Sequence, residues 1–368
     1  MCVSSPLYRQ PVRALTWDQV YARRLRQSRL DRRAPREQLL EVAHATCGVH
    51  AQLMTGAELA LSARVEGVTR DDVGEALWRS RELVKAGTLR TTLHLHPAGD
   101  LALWKSVRGL GRWREQWWLD WQKLTLAEAE ALREAVLAAL DDGEPRTRAE
   151  IGAAVGGRLG THLAADSWGH YLAPAASLLC HGPPRGRNVT FVRCDRWLPD
   201  WRPVDPAEAV LEACRRYLAT YAPARRDELE HWLAWTIEAW DELELELEEV
   251  DVEGHRTYVL PGMQFPDERP RGVRLLYNYD VYTIACHPRD HLIPVHKERI
   301  FLRGAGPNPA LLVDGRVAGV WSRKQQGRRV EIRVEPFRRL TKAQRAALAD
   351  DAARVARTHG AEPALEIV

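Results

Sequence analysis

What most restricts the fold of this chain is a unit that comes round three times: helical stretches ending in a short pair of strands joined by a tight turn. The first unit is "DRRAPREQLLEVAHATCGVHAQL", then "TRDDVGEALWRSREL", then "LVKAGTLRTTLHLHP". Pro35 suits a first helical position, ahead of apolar residues at helical spacing. Thr69 is a good N-cap, followed by Asp71 and Asp72 where a helix dipole favours acids. The last piece turns at Gly87 into alternating β-branched and apolar residues, the mark of a hairpin. The second unit joins "RTRAEIGAAV" to "GHYLAPAASLLCHGPPRGRNVTFVR", with a "GPPRG" turn between two strands. The third is a capped helix, "YAPARRDELEHWLAW", then "LELELEEVDVEGHRTYVLP", which alternates with period two across Glu253-Gly254. The units share a plan rather than a sequence, and the plan is that of a winged helix-turn-helix. The chain is therefore expected to be mainly α with small β-hairpins (α+β), as three tandem winged-helix domains over 1–125, 126–205 and 206–268. Residues 269–368 add a strand, a glycine turn, a strand and a long terminal helix.

Composition narrows the setting. A length of 368 residues allows two or three domains with buried cores, and 45% hydrophobic with 28% charged residues describes an ordinary globular chain. The start, "MCVSSPLYRQPVRALTWDQ", has no apolar h-region, and no run approaches the ~20 apolar residues of a membrane helix. Cys2, Cys47, Cys180, Cys194, Cys214 and Cys286 are scattered without a C-x-x-C pair, which fits a reducing cytoplasm. Only six of the 53 basic residues are lysine. A GC-rich genome accounts for that bias, yet arginine forks also suit phosphates and bases. Scarce lysine argues against Schiff-base chemistry.

Between Trp321 and Arg345 nine basic residues face only Glu331 and Glu335, near an expected hairpin. This reads as a phosphate-binding face, or equally as a solvated strand face. The "PPRGRN" tip fits a wing that touches backbone phosphates. The candidate DNA contacts are Arg185, Arg187, Arg323, Lys324 and Arg328. Residues 241–253 hold eight acids and no base, so the third hairpin is expected to be structural. Trp113, Trp117 and Trp121 stand at i, i+4, i+8, a stripe better suited to burial than to base stacking. His44, Cys47 and His50, and also Cys286, His287, His291 and His296, could be read as metal ligands. Their spacing lacks paired C-x-x-C elements, so no metal or other cofactor is expected. "VGGRLG" loosely suggests a phosphate loop, but no strand precedes it and no Lys-Ser/Thr follows.

His50 and Gln52, in "CGVHAQLM", are the candidate catalytic pair. On an ideal helix positions i and i+2 lie ~200° apart, so the two can share a target only at a helix end, in extended chain, or where Gly48 frees the backbone. Pattern alone makes such a histidine more ordinary than catalytic.

Several stretches together resemble the AlkZ/YcaQ family of bacterial DNA glycosylases. "GVHAQL" is similar to its G-Φ-Q-A-Q motif and "LRTTLHLHPAGDL" to its R-G-T-L-H-L run. "LLCHGPPRGRNVTFVR", "RRYLATYAPARRDELEHWL" and "VDGRVAGVWSRK" match further family elements in order, from about residue 14 to the end. The resemblance implies three winged helices around a concave DNA-binding cleft and excision of purines alkylated at N7, including bulky adducts and some crosslinks. It also implies active-site roles for His50 and Gln52, where the family usually has two glutamines. An H-Φ-Q form is similar to members encoded beside DNA-alkylating antibiotic pathways. "LLYNYDVYTIACHPRD" keeps the family's aspartate and tyrosine at Asp280 and Tyr282 but carries Cys286-His287 where a glycine is usual.

N7 alkylation puts a positive charge on guanine and makes it a good leaving group. The enzyme then needs only to stabilise an oxocarbenium-like sugar and place a water, tasks within reach of an imidazole and a carboxamide. No lysine adjoins the motif in sequence, so a monofunctional glycosylase without lyase activity is expected. Its partner would be double-stranded DNA carrying alkylated purines, in the cytoplasm at the nucleoid, without an obligate protein partner. The alternative is a winged-helix transcriptional regulator without catalysis. Three modules with no evident effector domain or dimerisation coil weigh against it.

Overall fold

A computed structural model describes residues 12–107, 112–159, 170–302 and 306–368. The protein is an α+β chain of winged-helix modules, and all three hairpins are present. In the first, Leu83–Gly87 pairs antiparallel with Leu93–Pro97, and the short strand Val49–His50 adds on the other side of Leu93–Pro97. Thr69 caps helix Arg70–Trp78: its hydroxyl accepts from the Asp72 amide while the Asp72 carboxylate accepts from the Thr69 N–H. Pro35 stands just before the first helical turn, Arg36–Gln38, which runs on into helix Leu39–Ala45. That helix stops because Cys47 and Gly48 both take positive φ, +59° and +98°, and the chain leaves as a strand.

The second hairpin joins Leu179–Arg185 to Asn188–Arg193, with Arg146–Thr147 as a third strand. Its turn is at Gly186-Arg187, with Gly186 at φ +62°, so only the last residue of "GPPRG" belongs to it. Pro183 and Pro184 lie inside the strand, where the register shifts between Gly182 and Arg185 because proline lacks a donor for the ladder. The "VGGRLG" stretch runs into helix Arg148–Leu159, and its last residue lies outside the described ones.

The third hairpin, Glu248–Val252 and His255–Val259, turns at Glu253-Gly254 as read. The alternation upstream misleads, however: Trp240–Leu245 is a helix. Trp240 and Leu243, three apart, bury together, the early acids Asp241 and Glu242 favour a helix start, and Leu245 is left 89% exposed. Strand Arg13–Leu15 crosses from the beginning of the chain to lie parallel to Glu248–Val252.

The C-terminal sheet has five strands in the order Val273–Leu276, Ala310–Val313, Arg316–Gln326, Arg329–Pro336, Glu362–Ile367. Helix Lys342–Arg357 covers it through Leu348, Ala352 and Val355, against Leu275, Leu311, Val330 and Ile332. The last strand, parallel to Arg329–Pro336, is an addition to the sequence reading. A large shared core joins helix Trp17–Gln27, helix Pro206–Tyr221 and the third hairpin, while the first two modules keep smaller cores of their own.

The tryptophan stripe does not bury as expected. Trp113 is buried, but Trp117 and Trp121 are 52% and 64% exposed. The reason is local: Trp113 belongs to a separate turn, and helix Gln116–Gln122 starts afresh after Glu115 and buries Trp118 and Leu119 instead. Among the described residues no helix is long and apolar enough to cross a membrane.

Candidate active site

His50 and Gln52 sit on extended chain rather than on a helix. The ladder continues past Val49–His50, because the Ala51 N–H donates to the Leu93 carbonyl at 2.7 Å. Exposure alternates along it: Val49 and Ala51 are buried, His50 is half-buried and Gln52 is exposed. Alternate residues of an extended chain point to the same side, so both side chains can serve one target. Gly48 makes this possible. A Cβ at residue 48 would come 2.2 Å from His96 Cε1, closer than any side chain permits.

The His50 ring is pinned by neighbours that contact it through their rings. Tyr279 stacks on one face, with centroids 4.6 Å apart and planes 21° apart, and the His94 ring meets it nearly at right angles at 5.5 Å. Burial, and then the charges of Arg90 and Lys85, lower the His50 pKa from 6.5 to about 4, so the imidazole is neutral at physiological pH. Neither His50 nor Gln52 makes a side-chain hydrogen bond to another described residue. Behind them His94 and His96 are fully buried. Thr88 Oγ1 lies 3.1 Å from His94 Nδ1 and 2.9 Å from His96 Nε2, and the Thr92 carbonyl lies 3.1 Å from the same His94 nitrogen. A carbonyl only accepts, so His94 carries its proton on Nδ1 and the Thr88 hydroxyl can donate to His96.

The hairpin corrects one expectation. Lys85 is distant in sequence, yet it comes near enough for its charge to act on His50. The register nevertheless separates them. Lys85 and Val49 both lie opposite Leu95, while His50 lies opposite His94, so the amine and the imidazole occupy opposite faces of the sheet.

The basic candidates divide. Arg323 is half-buried with its guanidinium 5.8 Å over the Tyr277 ring. Its charge acts on Glu58, in helix Met54–Ser62 directly after Gln52. Lys324 and Arg328 are exposed towards the tip of the same hairpin. Arg187 is exposed at the tip of the second hairpin, while Arg185 is engaged by Glu150 at 2.6 Å. The two sets of residues that could be read as metal ligands make other contacts. His44 Nδ1 meets Asp100 at 2.7 Å while Cys47 is buried. His291 stacks on Trp17 and His287 faces His231. An apolar cavity of about 390 Å³ opens at the tip of the first hairpin, lined among others by Thr88, Leu93, Trp113 and Trp117. Neither His50 nor Gln52 belongs to its wall.

Residues 43–358 match the family described as DNA glycosylase AlkZ-like. The chain belongs to this family of DNA glycosylases. The glycosylase is 30% identical over 376 aligned residues to an interstrand DNA cross-link repair glycosylase of Streptomyces sahachiroi, covering 94% of this chain and 97% of that protein. The solved structure of the Streptomyces sahachiroi DNA glycosylase AlkZ superposes with a TM-score of 0.82 at 28% identity, covering 96% of this chain and all of that one. An enzymatic family sets aside the binding-only alternative.

A pH profile reports directly on the site. Burial holds the His50 pKa at about 4 in the glycosylase against 6.5 in an unfolded chain, so the unfolded state takes up the proton first as pH falls. This residue therefore carries no titration penalty above 6.5 and weighs increasingly against the fold down to about 4. If neutral His50 serves the reaction, base release corrected for spontaneous depurination stays level through mildly acid pH and falls only as pH approaches about 4. An acid limb at the ordinary histidine value would contradict this placement.

Proposed function

We propose that this glycosylase hydrolyses the N-glycosidic bond of bulky N7-alkylated guanines in duplex DNA without a lyase step, in self-resistance to a DNA-alkylating natural product. The observation that carries the reading is the pairing of a neutral His50 with Gln52 on one side of the sheet, neither of them hydrogen-bonded through its side chain to another described residue. In the reaction, a water oxygen forms a bond to C1′ as the C1′–N9 bond breaks, and the electron pair passes to the cationic purine, which departs neutral. The water's proton passes to the imidazole and from there to solvent, while the Gln52 carboxamide accepts from the water and donates to a neighbouring oxygen. A weak base suffices because the leaving group is already activated. The separation of Lys85 from His50 by the sheet supports hydrolysis over amine attack.

The exposure of Gln52 supports reading of the lesion within the duplex rather than in a tight pocket. The relative's action on interstrand cross-links makes cross-links joined through N7 a second substrate class to test. Work on chromosomal lesions would place the enzyme in the cytoplasm at the nucleoid, in a cleft where Arg187, Arg323, Lys324 and Arg328, with Arg185 released from Glu150, meet phosphates.

The test is incubation with duplexes carrying one N7 adduct, small or bulky, followed by chromatography of the freed base. The strand should stay intact until heat or alkali cuts the abasic site. No freed base across such a panel would refute the reading, and strand scission without heating would refute the absence of a lyase step. Replacing Lys324 and Arg328 with alanine should weaken duplex binding for all sequences and flatten the salt dependence by about one unit of log–log slope per lost contact. An unchanged slope would remove these residues from the interface.

A further inference from the structure

Tyr279 occupies a backbone conformation that a bulky aromatic residue rarely adopts, φ +61°. Such strain persists only where its surroundings enforce it. Two features do so here. The next residue, Asp280, is fully buried and accepts from both terminal guanidinium nitrogens of Arg64 at 2.8 and 2.7 Å, bolting the Tyr277–Asp280 turn to the first module just beyond helix Met54–Ser62. Asp280 also accepts from the Tyr282 amide and so starts the next helix. On the far side, the phenol lies against the bare α-carbon of Gly306, where a Cβ would fall 2.1 Å from the Tyr279 hydroxyl. The turn thus delivers the ring flat onto His50, 4.6 Å away.

We propose that Tyr279 is a positioning residue for the glycosylase reaction, its ring fixing the plane of the His50 imidazole and shielding that face from water. The inference rests on the role given to His50 above. The two nitrogens lie in the plane that the stack fixes, so a tilt of the ring would swing them away from the water and the sugar. Loss of the stack would also hydrate the imidazole and let it protonate at higher pH. The hydroxyl makes no hydrogen bond to a described residue, so the ring rather than the oxygen acts.

The test uses the full chain with Tyr279→Phe, Tyr279→Leu and Gly306→Ala, the last crowding the phenol at its hydroxyl end. Tyr279→Phe should release base at close to the wild-type rate. Tyr279→Leu and Gly306→Ala should lose about ten- to a hundredfold in the single-turnover rate, as expected for a misaligned catalytic group, while binding lesion-free duplex normally. Their acid limb should rise towards 6.5, and the His50 C2 proton, identified by its disappearance in His50→Ala, should titrate correspondingly higher by NMR. In a His50→Ala background, Tyr279→Leu should cost nothing further. Three results would overturn the proposal: an unchanged rate and titration in Tyr279→Leu, a Tyr279→Phe as slow as the leucine variant, or an undiminished cost without His50. Should His50→Ala itself retain full activity, the role of His50 falls, and the NMR titration still decides whether Tyr279 shields it.

Discussion

Alanine at residue 50 is expected to slow base release from an N7-alkylated duplex by about two to four orders of magnitude, the usual contribution of a positioned proton acceptor. Gln52→Ala should cost about two to three orders, comparable to removal of one preorganised hydrogen-bonding group. The losses should not multiply, because both side chains would hold the same water and the first deletion already frees it. Gln52 is exposed and makes no side-chain hydrogen bond to a described residue, so Gln52→Ala should melt close to wild type, whereas His50→Ala also gives up the ring contacts with Tyr279 and His94 and should melt somewhat lower. Single-turnover chromatography of the released purine is the measurement. Near-native rates in both variants would show that the reacting sugar sits elsewhere on the molecule.

Gly48→Ala should be the more damaging change to the fold. The residue stands at φ +98° and its missing Cβ would lie 2.2 Å from His96. That ring is fully buried, held by Thr88 and stacked on Trp104 at 5.4 Å, so it has nowhere to retreat. Strained backbone and overpacking each cost about 1–3 kcal/mol, and together they should lower stability by about 2–6 kcal/mol. The effect should centre on the first hairpin, seen as faster hydrogen exchange at Val49, Ala51 and Leu95. Base release should fall with it, because the turn at Gly48 launches the strand that carries His50. An alanine variant with native exchange and melting would mean that the turn has more room than its contacts show.

Much of this arrangement was legible in the residues themselves. Thr69 with Asp72 announced a capped helix, and Glu253-Gly254 announced a hairpin turn, because both are local signals whose partners lie within a few positions. The motif at His50 and Gln52 was legible as a stretch but not as a geometry. Its helical start, "LLEVAHA", hid a strand two residues long that forms only because Leu93–Pro97 is there to pair with it. The alternation in "LELELEE" pointed to a strand where burial of Trp240 and Leu243 made a helix, since period two and spacing three cannot be told apart over so short a run. The tryptophans misled for a similar reason, as a break at Glu115 divided what looked like one face. Tyr279, Lys85 and Arg90 could not be assigned to the site from their spacing, because sheet pairing and the Arg64–Asp280 bond bring them there.

The parallel strand Arg13–Leu15 has a consequence for how the polypeptide is made. Its partner Glu248–Val252 lies more than two hundred residues downstream. Helix Trp17–Gln27, which follows it, rests on helix Pro206–Tyr221 through Arg23 to the Ala219 carbonyl and Arg24 to that of Tyr221. During synthesis this strand must therefore wait for its partner until two further modules have been translated. Folding cannot finish in the order in which the ribosome delivers the chain, because the third module closes on a segment made before the other two.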